Sequence, residues 1–526
     1  MDEFTATYGD QIAGTLSGFD RLVLRGTLRR IAYPFGLQGY LWANQVLLKD
    51  FGAHAEKVSA IVKDSALETM VAAGRPVRYL PSSREDKEKL ARAIAAEDHI
   101  QHGPVCALTC LEPCRGFDIH RNRATKHLDL VQRSRKCLFV YQYWLDPQLG
   151  WMNARIQTWF PFSIQICLNG REWLARQMSK AGLSYKKHDN CFVWVEDWRR
   201  AQQLLDEQLR TDWAELLNSI GRRLNPRHEE LFARFPLEYY WSGYQTEWAT
   251  DVTFRRPTDL QRLFPLWLRH AVVSFQSADV LKFFGKRVTP QGEVPHTVEA
   301  ELTTSLKRRQ PGVRIKHWYG VNSLKAYDKA YSAIGSTFRT EVTMQDPEPF
   351  KVYRRPEGEP EKPQRWYRLR KGVADLYRRA DICQKVNQRY LNALAVVDTD
   401  TTLEELIAAI QRPVIQQQKR HRALQPFSEP DVQLLEAIGR GDFLIEGLRN
   451  RDLQDLLYAR PAKDRREARQ RSAAISRKLR LLRAHGLIRK IGTTHRYQVT
   501  DLGREILPPI AAARKTTLKY LNAKAA

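Results

Sequence analysis

The chain has 526 residues, enough for two to four domains, and its 43% hydrophobic and 10% aromatic content excludes a disordered polymer. A formal net charge of +26, with a pI near 9.8, requires a partner that disperses positive charge, and nucleic acid is the commonest. No run of eighteen apolar residues exists, which argues against a membrane partner. The acidic start Met1-Asp2-Glu3-Phe4 lacks the layout of a signal peptide, so a cytoplasmic protein is expected.

The composition and periodicity predict an α+β multidomain chain: small mixed or antiparallel sheets with covering helices, then a C-terminal DNA-binding domain. Block 1–102 alternates strands with helices, beginning with a glycine-bounded strand at 18–26 that contains Asp20. Block 103–225 opens with Cys106, Cys110 and Cys114, followed by His120. A second ligand pair at zinc spacing is missing, so buried thiols are the expectation, and the odd total of seven cysteines fits a reducing compartment.

Residues 137–144 and 151–160 predict two strands around a turn at 146–150, and Asn169 predicts the cap of a helix running from Gly170 to about Gly182. On that hairpin Phe139, Tyr141, Tyr143, Trp151 and Trp159 interleave with Arg155, a pattern that serves either a core or base stacking on single-stranded DNA or RNA.

Block 226–355 ends in three predicted strands, 313–319, 323–328 and 337–344. Alternation sets Lys325 and Tyr327 on one face of the second, and Arg339 with Glu341 on one face of the third. If the strands pair, the four gather on one polar surface, as a cross-strand ion pair or as a reactive site. Block 356–426 reads as a linker, proline-rich at 354–363, followed by helices at 367–395 and 402–410.

Block 427–526 carries a helix at 431–438, a short helix at 452–458, a longer one at 463–484 ended by Gly486, then strands 487–491 and 496–500 around a turn at 492–495. On the long helix, Ile475, Leu479 and Leu482 define an inward face. Arg466, Arg469, Ala473, Arg477 and Arg480 recur on another, and Arg489, Lys490 and Arg496 flank the turn. Guanidinium groups so arranged suit phosphate and guanine contacts.

This element order, with Leu487-Ile488-Arg489-Lys490 and Tyr497-Gln498-Val499-Thr500-Asp501-Leu502-Gly503, resembles bacterial winged-helix DNA-binding domains, which implies double-stranded DNA as a partner. The central string around Ser323 to Lys329, followed by Phe338-Arg339-Thr340-Glu341-Val342, is similar to replication initiators of rolling-circle plasmids and filamentous phages. That resemblance implies strand nicking by a tyrosine with a divalent metal, Mg²⁺ or Mn²⁺. It marks Tyr327 as nucleophile, with Lys325, Arg339 and Glu341 around it, and leaves Tyr377 and Tyr390 open as alternatives.

Many such initiators use a His-x-His metal pair, which this chain lacks. His317, or His296 with Glu299 and Glu301, would have to join Glu341. A separate expectation joins Asp20 to Glu341 in a two-metal nuclease site. Neither phosphate-binding loop motif occurs, so no nucleotide or redox cofactor is expected. The expectation is therefore a DNA-binding protein of a plasmid, phage or other mobile element that initiates replication or nicks a strand. The alternatives are a non-enzymatic winged-helix regulator, or an RNA-binding protein acting with a structured RNA.

Overall fold

The computed structural model describes residues 3–275, 277–286, 297–305, 312–329, 336–359, 361–395, 403–440, 443, 447–491 and 495–516. Backbone contacts divide the chain into two compact units that interleave in sequence. The larger comprises Ala13–Arg255 and Val321–Gln384, and the smaller comprises Met1–Ile12, Arg256–Gly320 and Lys385–Ala526. The sequence block 226–355 thus contributes to both. The architecture is mixed α+β, and among the described residues no helix is long and apolar enough to cross a membrane.

The larger unit begins with strands β1 (Ile12–Thr27), β2 (Val77–Leu80), β3 (Gly103–Arg121), β4 (Leu128–Asp146) and β5 (Gly150–Gln157). It continues with β6 (Ile164–Asn169), β7 (Tyr185–His188), β8 (Cys191–Val195) and β9 (Tyr240–Phe254). The chain then forms β10 (Val298–Ser305) and β11 (Gly312–Tyr319) of the smaller unit. It returns with β12 (Asn322–Asp328), β13 (Thr337–Met344), β14 (Lys351–Arg354) and β15 (Arg365–Arg368).

Within the larger unit the main sheet runs β12-β13-β9-β1-β6-β5-β4-β3-β2. Only its rim pair β2–β3 is recorded as parallel, while β3–β4, β4–β5, β5–β6, β6–β1, β9–β13 and β13–β12 are antiparallel. The sheet is therefore mixed.

Local chemistry explains how helices dock on it. The side chain of Asn169 accepts from the backbone N–H of Arg171 and Glu172, capping the helix Gly170–Lys180. A Cβ at Gly170 would stand 1.9 Å from the carbonyl oxygen of Phe19, so the helix starts against β1 only because that residue is glycine. Gln142 of β4 donates to the carbonyls of Ala66 and Leu224, fastening two helices over the sheet.

The predicted aromatic hairpin forms, and its rings turn inward: Phe139, Tyr143, Trp151 and Trp159 are all buried. Cys106 and Cys110 lie in an apolar cluster with Leu80, Ala91, Ile94 and Val105, and Cys114 is buried further along β3.

The smaller unit carries β16 (Val414–Gln416), β17 (Lys419–His421), β18 (Leu448–Arg449), β19 (Ile488–Lys490) and β20 (Arg496–Val499). Helices Asp431–Ile438, Asn450–Leu457, Arg465–Ala484 and Asp501–Lys515 surround a three-stranded sheet ordered β18-β20-β19. Their shared core includes Leu434, Ile438, Leu453, Ile475, Leu479, Leu482, Val499 and Ile506. Gly447, at φ +71°, leads into β18, where a Cβ would stand 2.3 Å from the carbonyl oxygen of Tyr497. The predicted turn at 492–495 falls outside the described residues except for His495.

Candidate functional site

Strand pairing builds the site in rows across the larger unit's sheet. Tyr327 of β12 faces Arg339 of β13, which faces Asp251 of β9; one step along, Lys325 faces Glu341, which faces Ala249. In the next row Ser323 faces Thr343, which faces Glu247. Because side chains alternate along a strand, Glu247 and Asp251 share a face with Arg339 and Glu341. The four residues Lys325, Tyr327, Arg339 and Glu341 therefore do meet on one surface.

The contacts are direct. Lys325 Nζ lies 2.7 Å from Glu341 Oε1, and the Tyr327 hydroxyl donates to Glu341 Oε2 at 3.0 Å. Arg339 Nε and Nη2 bond the two oxygens of Asp251 at 2.5 and 2.8 Å, while its Nη1 reaches Asp20 Oδ2 at 3.1 Å. Arg171, from the helix capped by Asn169, meets Asp251 at 3.0 Å. Asn190, just before β8, donates through Nδ2 to both oxygens of Asp20, and its carbonyl accepts from Arg339. Asp20, Asp251, Glu341 and Arg339 are all buried, and Arg339 is fully so.

Burial and neighbours divide the carboxylates into two kinds. Burial raises the Asp251 carboxyl, but Arg339 and Arg171 outweigh it and hold it below its ordinary value. Glu341 behaves alike, with Lys325 and Arg339 overcoming the cost of burial. Asp20 goes the other way: burial lifts it despite Arg339. Glu247 is pushed up to about 7 by burial and by the charge of Glu341. Burial, and then Glu341, also drives the Tyr327 hydroxyl well above the usual phenol value, so the phenol is a neutral donor.

Asp20, Glu247 and Glu341 each bring one oxygen within 4.8 Å of the others, an arrangement that could hold a divalent cation. Among the described residues, four carboxylates (Asp20, Glu247, Asp251, Glu341) meet three cations in contact with them (Arg171, Arg339, Lys325). Arg21 and Lys329 also act on Glu247 and Asp251 from further away, and Glu247 is the carboxylate most readily kept protonated or balanced by a cation. A cation there would favour the ionised form of Tyr327.

His317 is not in this cluster. It lies buried in the smaller unit, its ring 5.4 to 6.3 Å from those of Phe275, Phe283 and Tyr390, and burial lowers it to about 4. His296 lies outside the described residues, and Glu299 and Glu301 are exposed on β10. Tyr390 is fully buried and Tyr377 is half exposed. The sequence reading missed Glu247, Asp251, Arg171 and Asn190. The two acids four residues apart in Glu247-Trp248-Ala249-Thr250-Asp251-Val252, a stretch otherwise without charge, are the available signal.

A second surface lies on the smaller unit. Helix Arg465–Ala484 buries Ile475, Leu479 and Leu482 and exposes Arg466, Arg469, Ala473, Arg477 and Arg480. Arg471 is not presented: it is tied to Glu467 and to the carbonyl of Arg460. Arg489 and Lys490 are exposed on β19, where Arg489 donates to Gln498 at 3.1 Å, and Arg496 is half-buried.

No family model, curated protein or solved structure matches the chain.

Proposed function

We propose that this chain is a DNA-binding protein whose smaller unit grips duplex DNA through the exposed arginine face of the helix Arg465–Ala484. One observation carries the reading: Arg466, Arg469, Arg477 and Arg480 stand in solvent on one side of a twenty-residue helix anchored by its opposite side. From Arg460 to Arg496 the sequence has thirteen Lys or Arg and two acids, so this face is not an ordinary mixed-charge surface. The order helix, β18, helix, long helix, β19, β20 resembles that of winged-helix domains, which supports reading Arg489, Lys490 and Arg496 as further phosphate contacts. The test is duplex affinity of the full chain after Arg477→Ala and Arg480→Ala; unchanged affinity at every salt concentration rejects the reading.

A second reading, metal-assisted cleavage of a DNA strand, is favoured by the meeting of Asp20, Glu247 and Glu341 beside the Tyr327 hydroxyl. In it the three carboxylates would hold Mg²⁺ or Mn²⁺ to polarise the phosphate, while Lys325 and Arg339 hold the carboxylates in place. The Tyr327 oxygen would pass its proton to Glu341 and attack phosphorus, and the P–O bond to the sugar would break, its oxygen leaving with a proton from water. A labelled-strand assay with Mn²⁺ separates the two readings. Cleavage with a covalent Tyr327 adduct supports this one, cleavage without an adduct leaves the cation and removes the tyrosine, and no cleavage leaves a binding protein that acts as a regulator.

A further inference from the structure

A third feature is used by neither reading. Strands β14 and β15 of the larger unit form a separate two-stranded hairpin, pairing Lys351 with Arg368, Val352 with Tyr367, Tyr353 with Trp366 and Arg354 with Arg365. The proline-rich stretch that reads as a linker in the sequence is the hairpin's connection. Tyr353 is 56% exposed and Trp366 is 66% exposed, and their rings touch at 5.4 Å between centroids. Opposed residues share a face, so Lys351, Tyr353, Trp366 and Arg368 lie on one side of the ribbon.

Two properties of this hairpin are unfavourable for the protein alone. Both flanking cross-strand pairs, Lys351 with Arg368 and Arg354 with Arg365, set like charges opposite each other, and such pairs destabilise a sheet. A tryptophan and a tyrosine are also left side by side in water, on a ribbon of a kind that is marginal by itself. The acids of the connection relieve the repulsion only in part: Glu357, ion-paired with Arg370, also acts on Arg354, and Glu359 is taken by Lys362. Glu361, exposed on the connection, is a single opposing charge.

A ligand that offsets both features carries dispersed negative charge and flat, accessible aromatic faces. Duplex DNA offers the first and hides the second within its stack. We infer that the β14–β15 hairpin is a binding site for single-stranded DNA, with bases stacked on Tyr353 and Trp366 and phosphates held by Lys351 and Arg368 on the same face. The choice of DNA over RNA rests on the duplex reading above; the stacking surface does not, because it uses other residues in the other unit.

The test measures binding of the full chain to labelled oligo-dT, oligo-U and a duplex at several salt concentrations. The Tyr353→Ala/Trp366→Ala variant is expected to lose about tenfold or more in oligo-dT affinity and to keep its duplex affinity. Trp366→Phe, which preserves a stacking face, is expected to stay within about threefold of the parent. Lys351→Gln/Arg368→Gln leaves both rings in place and is expected to reduce the salt slope for oligo-dT by roughly one to two.

Arg477→Ala/Arg480→Ala is expected to leave oligo-dT binding intact, so failure of the duplex reading does not imitate failure of this one. Unchanged oligo-dT affinity in the double alanine variant overturns the site, as does an equal loss on duplex and single strand. Tighter binding to oligo-U than to oligo-dT overturns the assignment to DNA.

Discussion

Arg339 and Asp251 meet as a two-pronged ion pair between neighbouring strands, both buried, with Arg339 reaching a second carboxylate at Asp20. One guanidinium thereby neutralises charge on two strands at once. Breaking a buried pair by removing one partner strands the other without solvent. Arg339→Met is expected to destabilise the larger unit by about 3–5 kcal/mol in denaturant unfolding. In a double-mutant cycle with Asp251→Leu, which also releases Arg171, the two losses should fall short of adding by about 0.5–3 kcal/mol, and strictly additive losses would refute the pairing as the source.

The carboxylates can be tested apart from any activity. Mn²⁺ binding followed by electron paramagnetic resonance is expected for the parent chain and to weaken at least about tenfold in Glu247→Gln and in Asp20→Asn. Glu341→Gln should abolish Mn²⁺-dependent cleavage and lower the melting temperature through loss of its buried pair with Lys325, without unfolding the larger unit. Collapse of the fold in that variant would instead make Glu341 a structural partner of Lys325.

His317 gives a dependence on pH. Its folded value of about 4 lies below the ordinary 6.5, so the unfolded chain takes up a proton first as acid is added. Stability is therefore complete above pH 6.5 and falls as the pH drops toward 4, by roughly 3 kcal/mol at 1.4 kcal/mol per unit. His317→Phe should remove that slope. An unaltered pH profile in this variant would show that the ring is not held neutral in its aromatic surroundings.

On the long helix of the smaller unit, each arginine that contacts a phosphate contributes about one unit to the slope of log affinity against log salt. Arg477→Ala/Arg480→Ala is expected to lower that slope by roughly two for every duplex sequence, or to relax specificity at one base pair if one arginine reads guanine. Equal slopes for parent and variant would mean these side chains stay clear of the backbone.

Gly170→Ala is expected to destabilise the larger unit by more than about 2 kcal/mol, because its Cβ would collide with the carbonyl oxygen of Phe19. Shifting the helix to relieve the collision also displaces Arg171 from Asp251. Wild-type stability in a thermal melt would contradict this close approach.

Local rules carried much of this structure. The strands around Lys325 and Glu341 were legible because alternation needs only neighbours in sequence, and the face they share followed once pairing was assumed. Helix limits at Gly170 and Gly486 were legible from a cap and a glycine. Asp251 and Glu247 were not, because nothing near them in sequence announces that β9 lies beside β13 and, with Asp20, beside β1. The hairpin of Tyr353 and Trp366 stayed hidden since its strands are four residues each, too short to show a period, and proline in the connection suggested a tether.

The interleaving of the two units also constrains synthesis. Asp20 and Asp251 leave the ribosome well before Arg339, so the first 255 residues emerge with Asp251 held by Arg171 alone and Asp20 without the guanidinium that joins the two. The larger unit cannot consolidate its centre while the nascent chain is that short. A ribosome stalled at residue 255 should hold this segment open to protease, and one stalled past residue 384, with the tunnel cleared, should not.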